Sequence, residues 1–160
     1  MKQKLLILIG IVLVFLVTIG YFHWRSKSSL SSEQRDYSTA IITLERTACF
    51  GTCPIYSLTI SGDGKVVYTG ENYVTVTSTQ TGQISPVTFK ELVDEFYKIN
   101  YFSLQDEYTA NITDMPTTIT SLTINGKTKK IEDYFNAPEE LKKLEQKIDE
   151  VANSKQWVGK

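Results

Sequence analysis

An apolar run near the N-terminus constrains this chain more than any other feature. Residues 5–22 are 18 consecutive positions without a charged side chain. As a helix rising about 1.5 Å per residue, the run would be about 27 Å long, close to the hydrocarbon thickness of a bilayer. Tyr21, Phe22 and Trp24 stand where aromatic side chains gather at a membrane interface. The run therefore predicts one transmembrane helix within residues 1–25.

A cleavable signal peptide is the competing interpretation of this run. Lys2 and Lys4 would form its positively charged start. The run is long for a signal peptide, however, and no small-x-small cleavage site follows it. No cysteine lies near its end, so a lipoprotein signal is absent. We therefore expect an uncleaved anchor. Basic residues are nearly balanced on its two sides, and the short N-terminal tail favours a cytoplasmic N-terminus with the remaining chain outside.

The charges of the remaining chain exclude several classes of function. The sequence holds 17 Lys and Arg against 18 Asp and Glu, and Lys2, Lys4 and Arg25 flank the apolar run. The part beyond the run is mildly acidic and lacks the basic footprint that nucleic-acid binding needs. The one histidine is His23, beside the run. Histidine-dependent triads, Cys–His nucleophiles and histidine-ligated zinc sites therefore have no imidazole in the folded part.

Composition divides the chain beyond the anchor into a linker and a domain. Residues 26–39 are rich in serine and poor in apolar side chains, which is typical of a flexible linker. Residues 40–157 have a common domain length and enough apolar side chains for one core. The predicted organisation is thus an anchor (1–25), a linker (26–39) and one domain (40–157).

The first half of the domain alternates as strands do. The predicted strands are residues 41–44, 55–60, 65–69 and 73–79. Turns are predicted at residues 61–64 and 70–72, where Gly, Asp and Asn accept positive φ at little cost. Tyr56, Leu58 and Ile60 alternate along their strand and are expected to share its buried face.

A helix and a second β unit follow. Ser85 is a predicted N-cap with Pro86 at the first helical position. The buried stripe of that helix is predicted to be Phe89, Leu92, Val93 and Phe96. Asn125-Gly126 predicts a two-residue hairpin between strands 117–124 and 127–134.

The domain is predicted to end in a second helix, after Pro138. This helix is expected to bury Leu141, Leu144, Ile148 and Val151 and to expose Glu139, Lys142, Lys143, Glu145 and Lys147. Because the strands cluster instead of alternating with helices, the fold class is α+β: an antiparallel β-meander, a helix, a β-hairpin and a C-terminal helix.

Both cysteines lie in one short segment, Arg46-Thr-Ala-Cys49-Phe-Gly-Thr-Cys53-Pro54-Ile-Tyr56. A disulfide needs Cα atoms about 4.4–6.8 Å apart, whereas an extended chain would separate these two by about 13 Å. The chain must therefore turn between the cysteines, and Gly51 suits such a turn. A five-residue loop would add about 2 kcal/mol, so the bridge would fix local shape more than global stability.

Three alternatives to a structural disulfide remain open. A redox-active dithiol of the thioredoxin type uses a two-residue spacer at a helix N-terminus, whereas here the spacer is three and a strand follows. Arg46 would stabilise a thiolate if it lies close. Two cysteines alone cannot complete a four-thiolate metal site, although a shared metal site is conceivable, as are free buried thiols.

The cysteine segment resembles a bacterial family, Domain of Unknown Function 6438. The resemblance rests on the C-F-G-x-C-P-x-Y core and continues through Gly62-Asp-Gly64, Val67-Tyr68-Thr-Gly70, Thr113-Asp114-Met-Pro116 and Tyr134-Phe-Asn-Ala-Pro138. It covers about residues 42–152. Where many members read Tyr-Gly-Ala-Pro, this chain has Phe135-Asn136-Ala137-Pro138. The resemblance implies membership and no particular activity.

Six residues are predicted to have structural or binding roles beside the cysteine pair: Arg46, Phe50, Gly51, Pro54, Tyr56 and Asp114. One hypothesis is that Arg46 and Asp114 pair across the fold and hold the cysteine loop. Two separate surface charges are the plain alternative. No residue is predicted to be catalytic, and no cofactor or metal is expected.

The first functional hypothesis is a non-catalytic binding or interaction module. It would be anchored by residues 5–22 in the bacterial inner membrane as a single-pass protein, facing the periplasm or the cell exterior. Its partners would be the membrane and an unknown protein or envelope component. The alternative is an envelope thiol–disulfide oxidoreductase that uses Cys49 and Cys53.

Overall fold

The computed structural model describes residues 35–159, which form an α+β domain with one seven-stranded mixed sheet. The strands are β1 (Ile41–Arg46), β2 (Ile55–Ser61), β3 (Lys65–Asn72), β4 (Thr79–Gln83), β5 (Glu107–Tyr108), β6 (Thr118–Ile124) and β7 (Lys127–Asp133). The helices are α1 (Pro86–Lys98), α2 (Glu139–Ala152) and α3 (Lys155–Val158), with 3-10 turns at Tyr37–Thr39 and Tyr101–Ser103. None of the helices in this range is long and apolar enough to cross a bilayer. The predicted anchor, residues 5–22, lies outside the described residues.

The sheet has the order β4-β3-β2-β1-β6-β7-β5. β1 is its central strand and is bonded antiparallel to β2 on one side and to β6 on the other, along its full length. Residues of β1, β2 and β6 alternate between fully buried and partly exposed positions. The helices therefore cover one face of the sheet, and among the described residues the other face is open.

The predicted antiparallel arrangement is correct for β1, β2, β3, β6 and β7, and β4 is antiparallel as well, but the arrangement does not extend to β5. β5 pairs with β7 in the parallel direction, through Glu107 opposite Glu132 and Tyr108 opposite Asp133. The sheet is therefore mixed. A two-residue strand carries no alternation that the sequence could reveal.

Both predicted hairpins with glycine turns are confirmed. Gly64 has a φ of 82° in the turn between β2 and β3. Asn125 and Gly126 have φ values of 52° and 72° between β6 and β7, as a type I′ turn requires. These turns put Leu122, Ile124 and Ile131 together in the core, each at most 2% exposed.

The turn predicted at residues 70–72 is wrong, and so is the strand predicted at residues 73–79. β3 continues to Asn72, the chain turns at Tyr73 with a φ of 55°, and β4 begins only at Thr79. Gly70 is a strand residue against which another backbone packs: a Cβ there would lie 2.0 Å from the Val76 carbonyl oxygen. Glycine is therefore needed at this position because the backbone at Val76 passes close to it, and not because the chain turns there.

The two main helices supply the second layer. The Ser85 side chain caps α1 by accepting a hydrogen bond from the Thr88 N–H at 3.0 Å, as predicted. The predicted stripe of α1 is confirmed, with Phe89, Leu92, Val93 and Phe96 all buried. In α2 the predicted apolar stripe is buried except for Val151, which is half-buried. The prediction that Glu145 is exposed is wrong, since only 5% of it is accessible.

A short arm, residues 35–39, joins the domain at one end of the sheet. The Arg35 guanidinium lies 3.8 Å from the centre of the Tyr97 ring and 2.9 Å from Asp94 Oδ1, both on α1. The Tyr37 hydroxyl donates to the same carboxylate at 2.8 Å. The chain thus enters β1 at what we call the entry end of the sheet. The opposite end, where β1, β3 and β7 finish, we call the loop end.

Candidate functional site

The cysteine loop, residues 47–54, lies at the loop end between β1 and β2. Cys49 and Cys53 stand at disulfide-bonding distance with their Cα atoms 5.7 Å apart, so the chain does turn between them. Thr47 fastens the loop to the start of β6, because it donates its N–H to the Thr117 carbonyl at 3.0 Å and accepts from the Thr117 N–H at 2.9 Å.

Glycine is not needed for the turn between the cysteines. Gly51 does not have a positive φ, and a Cβ added there would meet only Cys49 Sγ at 3.8 Å, an ordinary contact. Gly51 and Pro54 are exposed. The bridge and the flanking strands therefore set the loop's shape, and neither residue has a packing role.

Arg46 and Tyr56 close the base of the loop and attach it to α2. They are opposite each other in the β1–β2 ladder. Arg46 donates from Nη2 to Asp149 Oδ2 at 2.7 Å and from Nε to the Tyr56 hydroxyl at 3.0 Å, and Tyr56 donates to Asp149 Oδ1 at 2.7 Å. Arg46 Nη1 also donates to Thr118 Oγ1 at 3.1 Å, and Ser154 donates to Asp149 Oδ1 at 2.7 Å. We call Arg46, Tyr56 and Asp149 the brace.

The electrostatics of the brace keep its protons in place. Burial, followed by the charge of Asp149, raises the pKa of Tyr56 well above its ordinary value, so the phenol remains a hydrogen-bond donor. Burial lowers the pKa of Arg46, but Asp149 and Tyr56 outweigh that effect and the net pKa is raised. Asp149 and Arg46 are only 19% and 28% exposed in their side chains, so the charges are largely shielded from solvent.

Arg46 therefore pairs with Asp149, and the hypothesis that it pairs with Asp114 is wrong. Asp114 is exposed in the loop before β6, has a φ of 74°, and accepts a hydrogen bond from the Thr113 hydroxyl at 3.1 Å. It shapes its own loop and takes no part in the brace.

A second buried carboxyl lies beside the brace. Glu145 stands one helical turn before Asp149 on α2, and its Oε1 has no hydrogen-bond partner among the described residues. Burial, followed by the charge of Asp133, raises the pKa of Glu145 to about 8, against the opposing charges of Arg46 and Lys142. Burial also raises the pKa of Asp133. Glu145 thus holds its proton at neutral pH.

The loop end also carries most of the exposed apolar side chains of the domain. Phe50, at the tip of the cysteine loop, is 89% exposed. The others at this end are Tyr73, Ile112, Met115 and Phe135, which follow β3, precede β6 or follow β7. The Tyr134 hydroxyl links two of these residues, because it donates to the Ile112 carbonyl at 2.8 Å and accepts from the Met115 N–H. Phe135 follows Tyr134 directly in the sequence. Five of the seven large apolar side chains that are exposed among the described residues thus lie at this end of the sheet.

The site offers few reactive groups. Within residues 35–159 no set of three or more His, Cys, Asp or Glu side chains is arranged to hold a metal ion. The two thiols are paired, and the guanidinium of Arg46 is bonded to Tyr56, Asp149 and Thr118. The paired cysteines and the hydrogen bonds of the brace thus hold the loop in a fixed shape.

Asp149 and Glu145 are the site residues that the sequence did not reveal. They stand four apart on α2, next to the apolar residues Ile148 and Leu144. That i, i+4 spacing at the margin of a buried stripe was the available signal. From the sequence Glu145 is instead predicted to be exposed, since charged residues in a helix usually are, and Asp149 has no predicted role.

Comparison with known proteins agrees with the family resemblance. The family model for Domain of Unknown Function 6438, described only as a domain of unknown function, matches residues 40–152. No curated protein matches the chain. The matched range contains the whole cysteine loop, the brace and Glu145.

Proposed function

Because the chain belongs to the Domain of Unknown Function 6438 family, whose description names no activity, we propose a function from the geometry: a non-catalytic module that binds a protein partner through its cysteine loop. The contact is Phe50, inserted into an uncharged apolar pocket of the partner. The single observation that carries the proposal is that this large aromatic side chain is 89% exposed at the tip of a loop fixed at both ends.

The loop is suited to binding because it is shaped beforehand. The paired cysteines fix its tip, Thr47 bonds its start to Thr117, and the brace holds its base. A loop that is already ordered loses little conformational entropy on binding, so more of the contact energy appears as affinity. Aromatic side chains in such positions are common anchors of protein interfaces.

The chemistry of the loop identifies the kind of partner. Residues 47–54 contain no charged side chain. Ile112, Met115 and Phe135 are further exposed apolar side chains at the same end of the sheet, where Asp114 is exposed too. A pocket that receives Phe50 must be apolar and uncharged, because a buried charge without a partner would cost several kcal/mol by order of magnitude.

The location of the module is part of the proposal. Residues 5–22 would anchor it in the bacterial inner membrane, and the domain would face the periplasm or the cell exterior. The paired cysteines support this placement, since disulfides persist in oxidising compartments. The partner would then be a protein of the cell envelope.

The alternative function, a thiol–disulfide oxidoreductase using Cys49 and Cys53, has weaker support. The pair precedes β2 and does not begin a helix, so it lacks the helix N-terminus on which thioredoxin-type dithiols stand. The reduction potential of the pair separates the two functions. A value well below the glutathione range fits a structural bridge, whereas a value in the range of oxidoreductases, with insulin reduction, would contradict the binding proposal.

The test compares the full-length protein with a Phe50→Ser variant in capture from its native host. The expected result is a partner whose recovery falls at least tenfold with Phe50→Ser, and which binds the purified wild-type protein directly. The matched control is Val87→Ser, which changes another exposed apolar residue, 65% accessible, at the entry end. This control should capture the partner as the wild type does.

Three results would contradict the proposal. The first is that Phe50→Ser captures the same proteins in the same amounts as the wild type. The second is that Val87→Ser loses the partner as strongly as Phe50→Ser does. The third is binding of the wild type to lipid vesicles that disappears in Phe50→Ser, which would make Phe50 a membrane contact instead. Thermal unfolding of each variant confirms that the comparison is between folded proteins.

A further inference from the structure

The two edges of the sheet are protected very differently. At the β7 edge, Lys127, Lys129 and Lys130 supply charge, and β5 pairs with the last residues of the strand. Natural sheets use lysines and short covering strands in this way to prevent pairing with other chains. The β4 edge, Thr79-Gln-Thr-Gly-Gln83, has no charged residue and no proline, and its register with β3 is continuous. Within residues 35–159 no strand pairs with its outer side.

The register shows which backbone groups of β4 point outward. Gly70 donates its N–H to the Ser78 carbonyl at one end of the β3–β4 ladder, and Ile84 donates to the Gly64 carbonyl at the other. Bonded and non-bonded pairs alternate along an antiparallel ladder. Thr79, Thr81 and Gln83 are therefore the residues whose N–H and C=O groups face away from β3.

β4 is held firmly as an extended edge. The Gln83 side chain donates to the Asp63 carbonyl at 2.8 Å. Gly82 is covered on the helix side by Trp157, whose ring would lie 3.3 Å from an added Cβ. The outward groups thus form a continuous row of donors and acceptors, which is the template that strand addition requires.

We propose that a second copy of this chain pairs with the first through β4, antiparallel and about a two-fold axis at Thr81. This interaction is separate from the loop end and goes beyond the proposed function. The two-fold places Thr81 opposite Thr81 of the second copy, and Thr79 opposite Gln83 of the second copy. Each of these residues then exchanges both its N–H and its C=O with the facing residue.

Self-complementarity is what identifies a second copy as the occupant. The outward residues stand symmetrically about Thr81, so the two-fold register leaves none of their backbone groups unpaired. Because the strand has no charge, two copies do not repel each other, as two lysine-rich β7 edges would. Facing threonines on the open side of a sheet are also a favourable cross-strand pair.

The experiment measures the mass of the full-length protein in detergent by light scattering, with two substitutions at the proposed axis. Thr81→Lys puts like charges opposite each other, and its side chain is exposed, so the fold is retained. Thr81→Pro removes an N–H that points away from β3 and leaves the β3–β4 bonds intact. Thr128→Lys, exposed on β7 at the other side of the sheet, is the matched control.

The expected wild-type mass is twice the chain mass of 18.1 kDa. Both Thr81 variants should raise the dimer dissociation constant at least tenfold, and Thr128→Lys should leave it unchanged. A wild-type protein that stays monomeric at micromolar concentration overturns the proposal. So does a dimer that both Thr81 variants leave intact, since the contact would then lie elsewhere in the chain.

Discussion

Replacing Glu145 with glutamine should change how the stability of the domain depends on pH. The pKa of Glu145 is about 8 in the folded protein, against an ordinary value of 4.5. Between these two values the folded state keeps a proton that the unfolded state has released. The folded state therefore loses stability as pH rises through this window, by about 1.4 kcal/mol per pH unit.

The size of this change in stability follows from the single proton that Glu145 keeps in the folded state. From pH 5 to pH 7 the wild type should lose about 3 kcal/mol of unfolding free energy through Glu145. Glu145→Gln has the same shape and does not ionise, so this loss should disappear. For a domain of this size the variant should gain about 10 °C in melting temperature relative to the wild type over that interval. Asp133, whose pKa burial also raises, is present in both proteins, and its charge acts on an ionisable Glu145 only in the wild type.

The assay is urea unfolding of the full-length chain in a mild detergent at pH 5, 6, 7 and 8. The quantity of interest is the difference in unfolding free energy between the variant and the wild type at each pH. Glu140→Gln, an exposed position on the same helix, is the control and should give a difference that does not change with pH. Parallel curves for Glu145→Gln and wild type between pH 5 and pH 7 would refute the reasoning, because Glu145 would then be ionised in the fold.

Two further predictions concern the loop and its brace. Arg46→Ala and Asp149→Ala should each cost about 3 kcal/mol, because either change leaves the other charge largely buried without its partner. In a double-mutant cycle by urea unfolding the two costs should not add, and strict additivity would show that the pair contributes nothing. Replacing both Cys49 and Cys53 with serine should cost only about 2 kcal/mol, since the loop between them is short. Intact mass with and without reductant, followed by thermal unfolding, checks this, and two free thiols in protein from its native compartment would contradict the bridge.

The parts of the fold that were predictable are those fixed by neighbouring residues. Asn125-Gly126 dictates its hairpin because both residues accept positive φ, and Ser85 with Pro86 dictates the start of α1. The α+β class followed from the clustering of such local signals. Gly70 shows where local reasoning fails, because its glycine serves a contact with Val76, and no local pattern distinguishes that from a turn.

Only those residues of the candidate site that lie in the cysteine segment were predictable. Arg46, the cysteines and Tyr56 lie within one segment whose spacing is visible in the sequence. Their partner Asp149 is 103 residues away from Arg46 in the sequence. No local pattern in α2 indicates that a charged residue of this helix contacts the loop end of the sheet. Pairing an arginine with the wrong aspartate was the consequence, because charge alone does not specify distance in the fold.

The position of β1 has a mechanical consequence. The chain enters the domain through the arm on α1 and passes directly into the central strand, which is hydrogen-bonded to β2 and β6 along its whole length. A pull on the chain from its N-terminal side, along the strand axis, must first detach the arm. It then loads both ladders of β1 in shear, with many hydrogen bonds sharing the force at once instead of opening one after another. A domain built in this way resists tension at the point where a tether would apply it.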